Sequence, residues 1–235
     1  MEISKERVIR IINQFPLITA RDLSVIFNTK ITTMNAYLAR NISELKSIDS
    51  IYMSSGTSTE KCYFNKKDRK KVNSDIQFHH KKVATAFSCF AGFCYSEDNY
   101  YIVIFEKEPE TADDHRADLL IEIANKKDKK ITKLYIEVET GSRSPADTVK
   151  KLMEINQTQA KLEKKEDQIK TLVLMDNVIL ENPHVYIMRI LDKFNKKYNF
   201  VKNENVFYRS FDFSKKPFEK WLDINKNEIN LKSIL

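Results

Sequence analysis

Three acidic residues, Asp118, Glu137 and Glu139, are spaced so that they can share one end of a β-sheet. Glu137 and Glu139 stand two apart at the end of a strand-like run over 134–138, and side chains two apart on a strand point to the same face. Asp118 sits in the strand-like run before it, 117–123. If those strands pair, three carboxylates converge, and oxygen donors at that density suit Mg²⁺ or Mn²⁺. Like charges this close need a cation, a raised pKa or a nearby lysine. Lys150 and Lys151, near the start of a helix read over 146–166, are placed to supply one. The plainer alternative is that one or two of the acids point inward and the rest are surface acids beside Lys133, Arg143 and Lys150.

Other chemistries fare less well. With 3 Gly in the chain there is no glycine-rich phosphate loop, which excludes P-loop and dinucleotide-binding readings. The 4 His are scattered with no His-x-His, so a tyrosine nickase with a histidine-bound metal is not supported. His79 and His80 diverge by about 100° on a helix, so a structural role is expected for them. His115 and His184 stand near the acidic runs and a helix start. Cys62, Cys89 and Cys94 are odd in number and lack metal-ligand spacing, which predicts reduced, packed thiols.

Charge separates the chain into two parts. Residues 1–72 hold 13 Lys and Arg against 7 Asp and Glu, whereas 73–235 hold 27 against 26. A basic small domain beside a near-neutral larger one is the pattern expected when only the first approaches phosphates. No apolar run approaches the roughly 18 residues of a membrane span, and the opening MEISKERVIR lacks the apolar stretch of a secretory signal. A cytoplasmic protein with no membrane partner is the expectation.

Two-domain organisation follows, with a boundary expected at 72/73. In the first domain, Val8, Ile11, Ile12 and Phe15 recur at helical spacing between an N-cap at Ser4 and a stop at Pro16. Thr19 caps a second helix with Leu23, Ile26 and Phe27 on its apolar face, and a turn follows at Asn28-Thr29-Lys30. A third helix over 32–45, with a Thr cap, is expected to bury Ala36, Leu38, Ile42 and Leu45 and to turn Thr33, Asn35, Tyr37 and Arg40 outward. Two strand-like runs, 48–53 and 60–64, enclose a polar tip. The charge run 66–71 reads as a linker or a solvated face.

Three helices closed by a hairpin resemble the winged helix-turn-helix family over residues 3–66. That resemblance implies a third helix in the major groove of duplex DNA, with Thr33, Asn35, Tyr37 and Arg40 as base or phosphate contacts and Lys46 and Lys61 as phosphate contacts.

From 73 onward, helical runs (78–95, 146–166, 185–198) alternate with strand-like runs (100–105, 117–123, 134–138, 170–175, 205–208), giving an α+β or α/β domain with a mixed sheet. The tail is expected to pack Trp221 and Leu222 onto it. The charged end of the helix over 146–166 suits solvent or a dimer contact. A helix, strands carrying Arg116-Ala117-Asp118 and Glu137-Val138-Glu139, then a helix and a further strand look like the PD-(D/E)XK nuclease fold. The resemblance implies that Asp118 and Glu137 hold the metal. It departs where the family's lysine is Glu139, leaving Lys150 or Lys151 to take that part. The string Glu137-Val138-Glu139-Thr140-Gly141-Ser142, followed by Lys151-Leu152 and preceded by His79 or His80, is similar to the replication-relaxation family of plasmids and conjugative elements. That family also begins with a winged helix. It implies a DNA-binding protein in replication, DNA relaxation or transfer, with replication or transfer proteins or a second copy as further partners. A metal-dependent endonuclease or nickase using Asp118, Glu137, Glu139 and Lys151, and a transcriptional regulator, are the alternatives.

Overall fold

A computed structural model describes residues 3–42, 47–55, 58–72, 77–111, 116–139, 143–166, 168–175, 183–210 and 220–235. The chain divides into two compact units, Met1–Glu97 and Asp98–Leu235. This division falls after Glu97. No helix among the described residues is long and apolar enough to cross a membrane.

The first unit is built of helices around a small antiparallel sheet. Helix α1 (Lys5–Gln14) starts where the Ser4 hydroxyl accepts the Arg7 N–H, and it buries Val8, Ile11 and Ile12. A two-residue strand, β1 (Ile18–Thr19), follows. Helix α2 (Ala20–Ile26) begins at a reciprocal cap, in which Thr19 accepts from the Asp22 backbone and Asp22 accepts from Thr19. Helix α3 (Ile31–Asn41) begins after Lys30, which gives no side-chain cap, so the expected threonine cap is not used. Strands β2 (Ile48–Ser55) and β3 (Ser58–Asn65) form a hairpin, and β3 lies between β2 and β1. The charge run folds as a 3-10 turn and a short helix, α4 (Arg69–Val72), anchored by buried Val72.

Helix α5 (Gln77–Ser96) belongs to this unit because its apolar side packs on α2 and its neighbours. Phe87 stacks on Phe15 with ring centroids 4.5 Å apart, and the Ser88 hydroxyl donates to Asp22 at 3.0 Å. At Gly92 the approach is so close that a Cβ would lie 2.8 Å from the Val25 methyl. Buried Lys81 reaches Glu60 of β3 at 2.8 Å. His80 is buried on the same helix and His79 is half-buried. None of the three cysteines forms a disulfide; burial pushes the Cys62 thiol up to about 11 and that of Cys94 up to about 12.

The second unit is a seven-stranded mixed sheet. Strands β4 (Tyr100–Lys107), β5 (Leu119–Asn125) and β6 (Ile131–Glu139) are joined in that order as antiparallel pairs. Helix α6 (Pro145–Glu163) then crosses to β7 (Ile169–Met175), parallel to β6, and α7 (Pro183–Tyr198) crosses to β8 (Val206–Ser210), parallel to β7. Short strands β9 (Lys220–Leu222) and β10 (Glu228–Asn230) extend the sheet beyond β8, before a final turn of helix, α8 (Leu231–Ile234). This is a mixed α/β architecture, as the alternation of helical and strand-like runs implied. Both short strands escaped the sequence reading, although Trp221 and Leu222 do pack here: Leu222 pairs with Tyr208 and Trp221 is wholly buried.

The core joins α6, α7 and the parallel strands, through Leu152 and Ile155, Ile190 and Phe194, and Val173, Val206 and Tyr208. A polar network threads its edge. Asn156 donates to the Tyr208 hydroxyl at 2.8 Å and accepts the Asn203 N–H at 3.0 Å, while Gln159 donates to the Ile169 carbonyl and accepts from Thr171. Glu163 closes the network by accepting from Gln159, Asn203 and Asn205. Burial pushes the Glu163 carboxyl up, but these bonds, with Lys170 nearby, outweigh it and hold the group below its ordinary 4.5.

A depressed carboxyl pKa stabilises the fold above the ordinary value, and that stability is lost as pH falls through the folded value. Glu163→Gln is therefore expected to lower the urea midpoint at pH 7. The gap between variant and wild type should close as acid protonates Glu163. A gap that is constant with pH would contradict the assignment.

Candidate nucleic-acid interface and carboxylate site

The carboxylates are positioned by strand register. Leu119 pairs with Ile136, and the Asp118 N–H donates to the Ile136 carbonyl at 3.1 Å, so Asp118 stands beside the end of β6. One Asp118 oxygen accepts the Val138 N–H at 2.7 Å, which fixes the side chain between Glu137 and Glu139 in the chain. Glu137 and Glu139 are both buried at the end of β6 that faces the next parallel strand, opposite Val173 and Met175.

Helix α6 brings the cation. Ser144 caps the helix through the Asp147 N–H and Pro145 opens it, so its first turns carry Lys150 and Lys151 past the sheet end. Lys151 is partly buried and its Nζ lies 3.8 Å from Glu137, while Lys150 is exposed. Arg143, just before the helix, pairs with Glu139 at 3.4 Å. Burial pushes the Glu139 carboxyl above its ordinary value; Arg143 and Lys151 oppose this, and Glu137 and Asp118 add to it. Glu139 thus feels the charges of Asp118, Glu137 and Lys151 together.

Asp118, Glu137, Glu139 and Lys151 are accordingly brought within electrostatic reach of one another. Among the described residues no three His, Cys, Asp or Glu side chains form a ready-made metal group. Arg143 engages Glu139, and Asp118 is tied to the backbone of β6, so strand register brings the three acids to one sheet end without closing a cage. The donor set still fits Mg²⁺, which typically takes one or two carboxylates and completes its octahedron with water and substrate phosphate. Asp118 and Glu137 would hold it, and the ion would supply an activated water. Arg116 points elsewhere, to Glu110, and His115 lies outside the described residues.

In the first unit, α3 is held by a narrow stripe. Only Met34 and Leu38 on the helix, with Ile42 just beyond it, are buried. Thr33, Asn35, Ala36 and Arg40 are exposed, and Tyr37 is half-exposed. Ala36 is thus not a core residue: at about 100° per residue it lies opposite the buried stripe. The same geometry groups Thr33, Ala36 and Arg40 on one outward crest with Tyr37 beside it. Asn35 sits about 200° round from Thr33, on the opposite flank. Leu45 and Lys46 lie outside the described residues.

The hairpin presents a second polar-aromatic face. Tyr52 lies opposite Lys61, and side chains in register share a face. Tyr52 is 72% exposed, and the Lys61 ammonium sits 5.6 Å from the Tyr63 ring centre. The tyrosines were missed as candidates, although alternation with buried Met53 and Cys62 would have turned both outward. Compared with known proteins, the chain matches no family model and no curated sequence.

Proposed function

We propose that this chain is a duplex-DNA-binding protein of a plasmid or other mobile element, acting in replication, DNA relaxation or transfer. In this reading the first unit is a winged helix and the second a PD-(D/E)XK-like domain. The observation that carries it is the α3 crest: a polar helix surface bearing Arg40, with Thr33, Ala36 and Arg40 exposed and Tyr37 half-exposed, opposite a stripe of three buried residues. Such a surface fits the major groove, with Thr33, Tyr37 and Arg40 facing the bases and phosphates. The hairpin face of Tyr52, Lys61 and Tyr63 then follows the backbone, and the charge excess of residues 1–72 supplies attraction at a distance.

Arg40→Ala should weaken duplex binding by about 1–3 kcal/mol and flatten its salt dependence. Unchanged affinity and slope in a fluorescence anisotropy titration would remove Arg40 from the interface.

One observation favours a second reading, metal-dependent cleavage by the second unit: Lys151 approaches Glu137 where the sequence lacks the family's lysine. Asp118 and Glu137 would hold Mg²⁺ or Mn²⁺, Glu139 would serve as ligand or base, and Lys151 would polarise water. Supercoiled plasmid should then be nicked in the presence of either ion, and Asp118→Ala should abolish the nicking. Intact plasmid with wild-type protein and either ion would leave the second unit a binding scaffold.

A further inference from the structure

A cavity of about 160 Å³ opens between the start of α7 and strands β8 to β10. Its floor is apolar, with Trp221 and Tyr208 wholly buried. Among the described residues its rim is polar and mainly basic: Arg209, Lys220, His184 and Ser210 stand against the carboxylate of Glu228. Lys220 pairs with Glu228 at 2.8 Å, and both side chains are exposed, so an incoming anion can compete for the lysine. Lys220 chiefly, with His184 also near, holds the Glu228 carboxyl below its ordinary value.

Arg209 gives the rim its geometry. One guanidinium nitrogen donates to the Lys220 carbonyl, which pins the planar group at the cavity. The N–H groups of the guanidinium that this bond leaves over can donate to a phosphate oxygen, and serine, lysine and imidazole groups around the cavity add further donors. The cavity also has a defined relation to the carboxylates. Ser210 pairs with Met175, and Met175 pairs with Glu139. Cavity rim and carboxylate site therefore occupy the same end of three adjacent parallel strands, about 10 Å apart at two strand spacings.

We propose that this cavity is a phosphate-binding site, filled by a backbone phosphate of a nucleic-acid strand or by the phosphate of a free nucleotide. The strand-bound form rests on the DNA-binding reading above; the nucleotide-bound form stands without it.

Trp221 is the chain's single tryptophan and lines the cavity, so its fluorescence reports occupancy directly. The full chain is titrated with AMP and, separately, with a single-stranded thymidine oligonucleotide. A saturable change in Trp221 emission is expected with at least one probe: AMP alone identifies the nucleotide, the oligonucleotide alone the strand, and both the phosphate itself. Lys220→Gln and Arg209→Gln should shift the midpoint upward by about tenfold. If Arg209→Gln disturbs the fold, seen as altered circular dichroism, Lys220→Gln decides, because that side chain is 72% exposed. Arg40→Ala should leave the AMP titration unchanged, which separates failure of this site from failure of the α3 interface. No saturable change with either probe, or a Lys220→Gln curve that overlays the wild type, overturns the proposal.

Discussion

The double variant Thr33→Glu, Arg40→Glu is expected to bind duplex DNA about 100-fold more weakly than the wild type, with an unchanged melting temperature. Loss of one arginine contact to a base or phosphate costs about 1–3 kcal/mol, and each 1.4 kcal/mol is a factor of ten. Two new carboxylates on the same crest add repulsion from the phosphates. Both positions are exposed and lie on the side of α3 away from the Met34–Leu38 stripe, so the core should not register the change. Asn35→Glu is an internal control. It adds the same kind of charge on the opposite flank and should cost markedly less. Equal losses from Asn35→Glu and the crest variant would mean that the field of the unit, rather than a docked face, governs binding. An unaltered affinity in the double variant would remove the crest from the interface.

Asn156→Leu should destabilise the chain by about 2–5 kcal/mol, although the two side chains are nearly equal in size. Asn156 is fully buried and serves the Tyr208 hydroxyl and the Asn203 N–H together. Leucine leaves both groups buried without that partner, and each orphaned group costs about 1–3 kcal/mol. The Tyr208 hydroxyl cannot escape by ionising, because burial pushes its pKa far above the ordinary phenol value. The residues affected join α6 to β8 and to the turn ahead of it, so the loss should appear in urea denaturation as a shifted midpoint. A shift worth less than about 1 kcal/mol would mean that the network relaxes around the change.

Much of this architecture was written in local signals. Ser4 and Thr19 announce helix starts because their hydroxyls satisfy backbone N–H groups within the next turn, and that chemistry needs no partner from elsewhere. Glu137 and Glu139 could be placed on one face because strand period alone decides it. What escaped were features set by distant contacts. The period of α5 shows that one face is buried but not against what; Phe87 on Phe15 and Ser88 on Asp22 put it in the first unit. Strands β1, β9 and β10 span two or three residues, too short for alternation to register. Ala36 looked like a core residue by type, yet its angle on α3 turns it outward. At the carboxylate site the acids were legible, whereas the choice of Lys151 over Lys150 depends on how α6 is rotated against the sheet.

The most direct test of the α3 interface is photocrosslinking from a benzophenone amino acid installed at Ala36, the centre of the outward crest, in the full chain with duplex DNA. Position 157 on α6, also exposed, serves as the comparison. Irradiation at low salt is expected to join position 36 to bases of the duplex, while position 157 yields little adduct. Adducts absent from position 36 while the protein remains bound to the duplex would contradict the α3 interface.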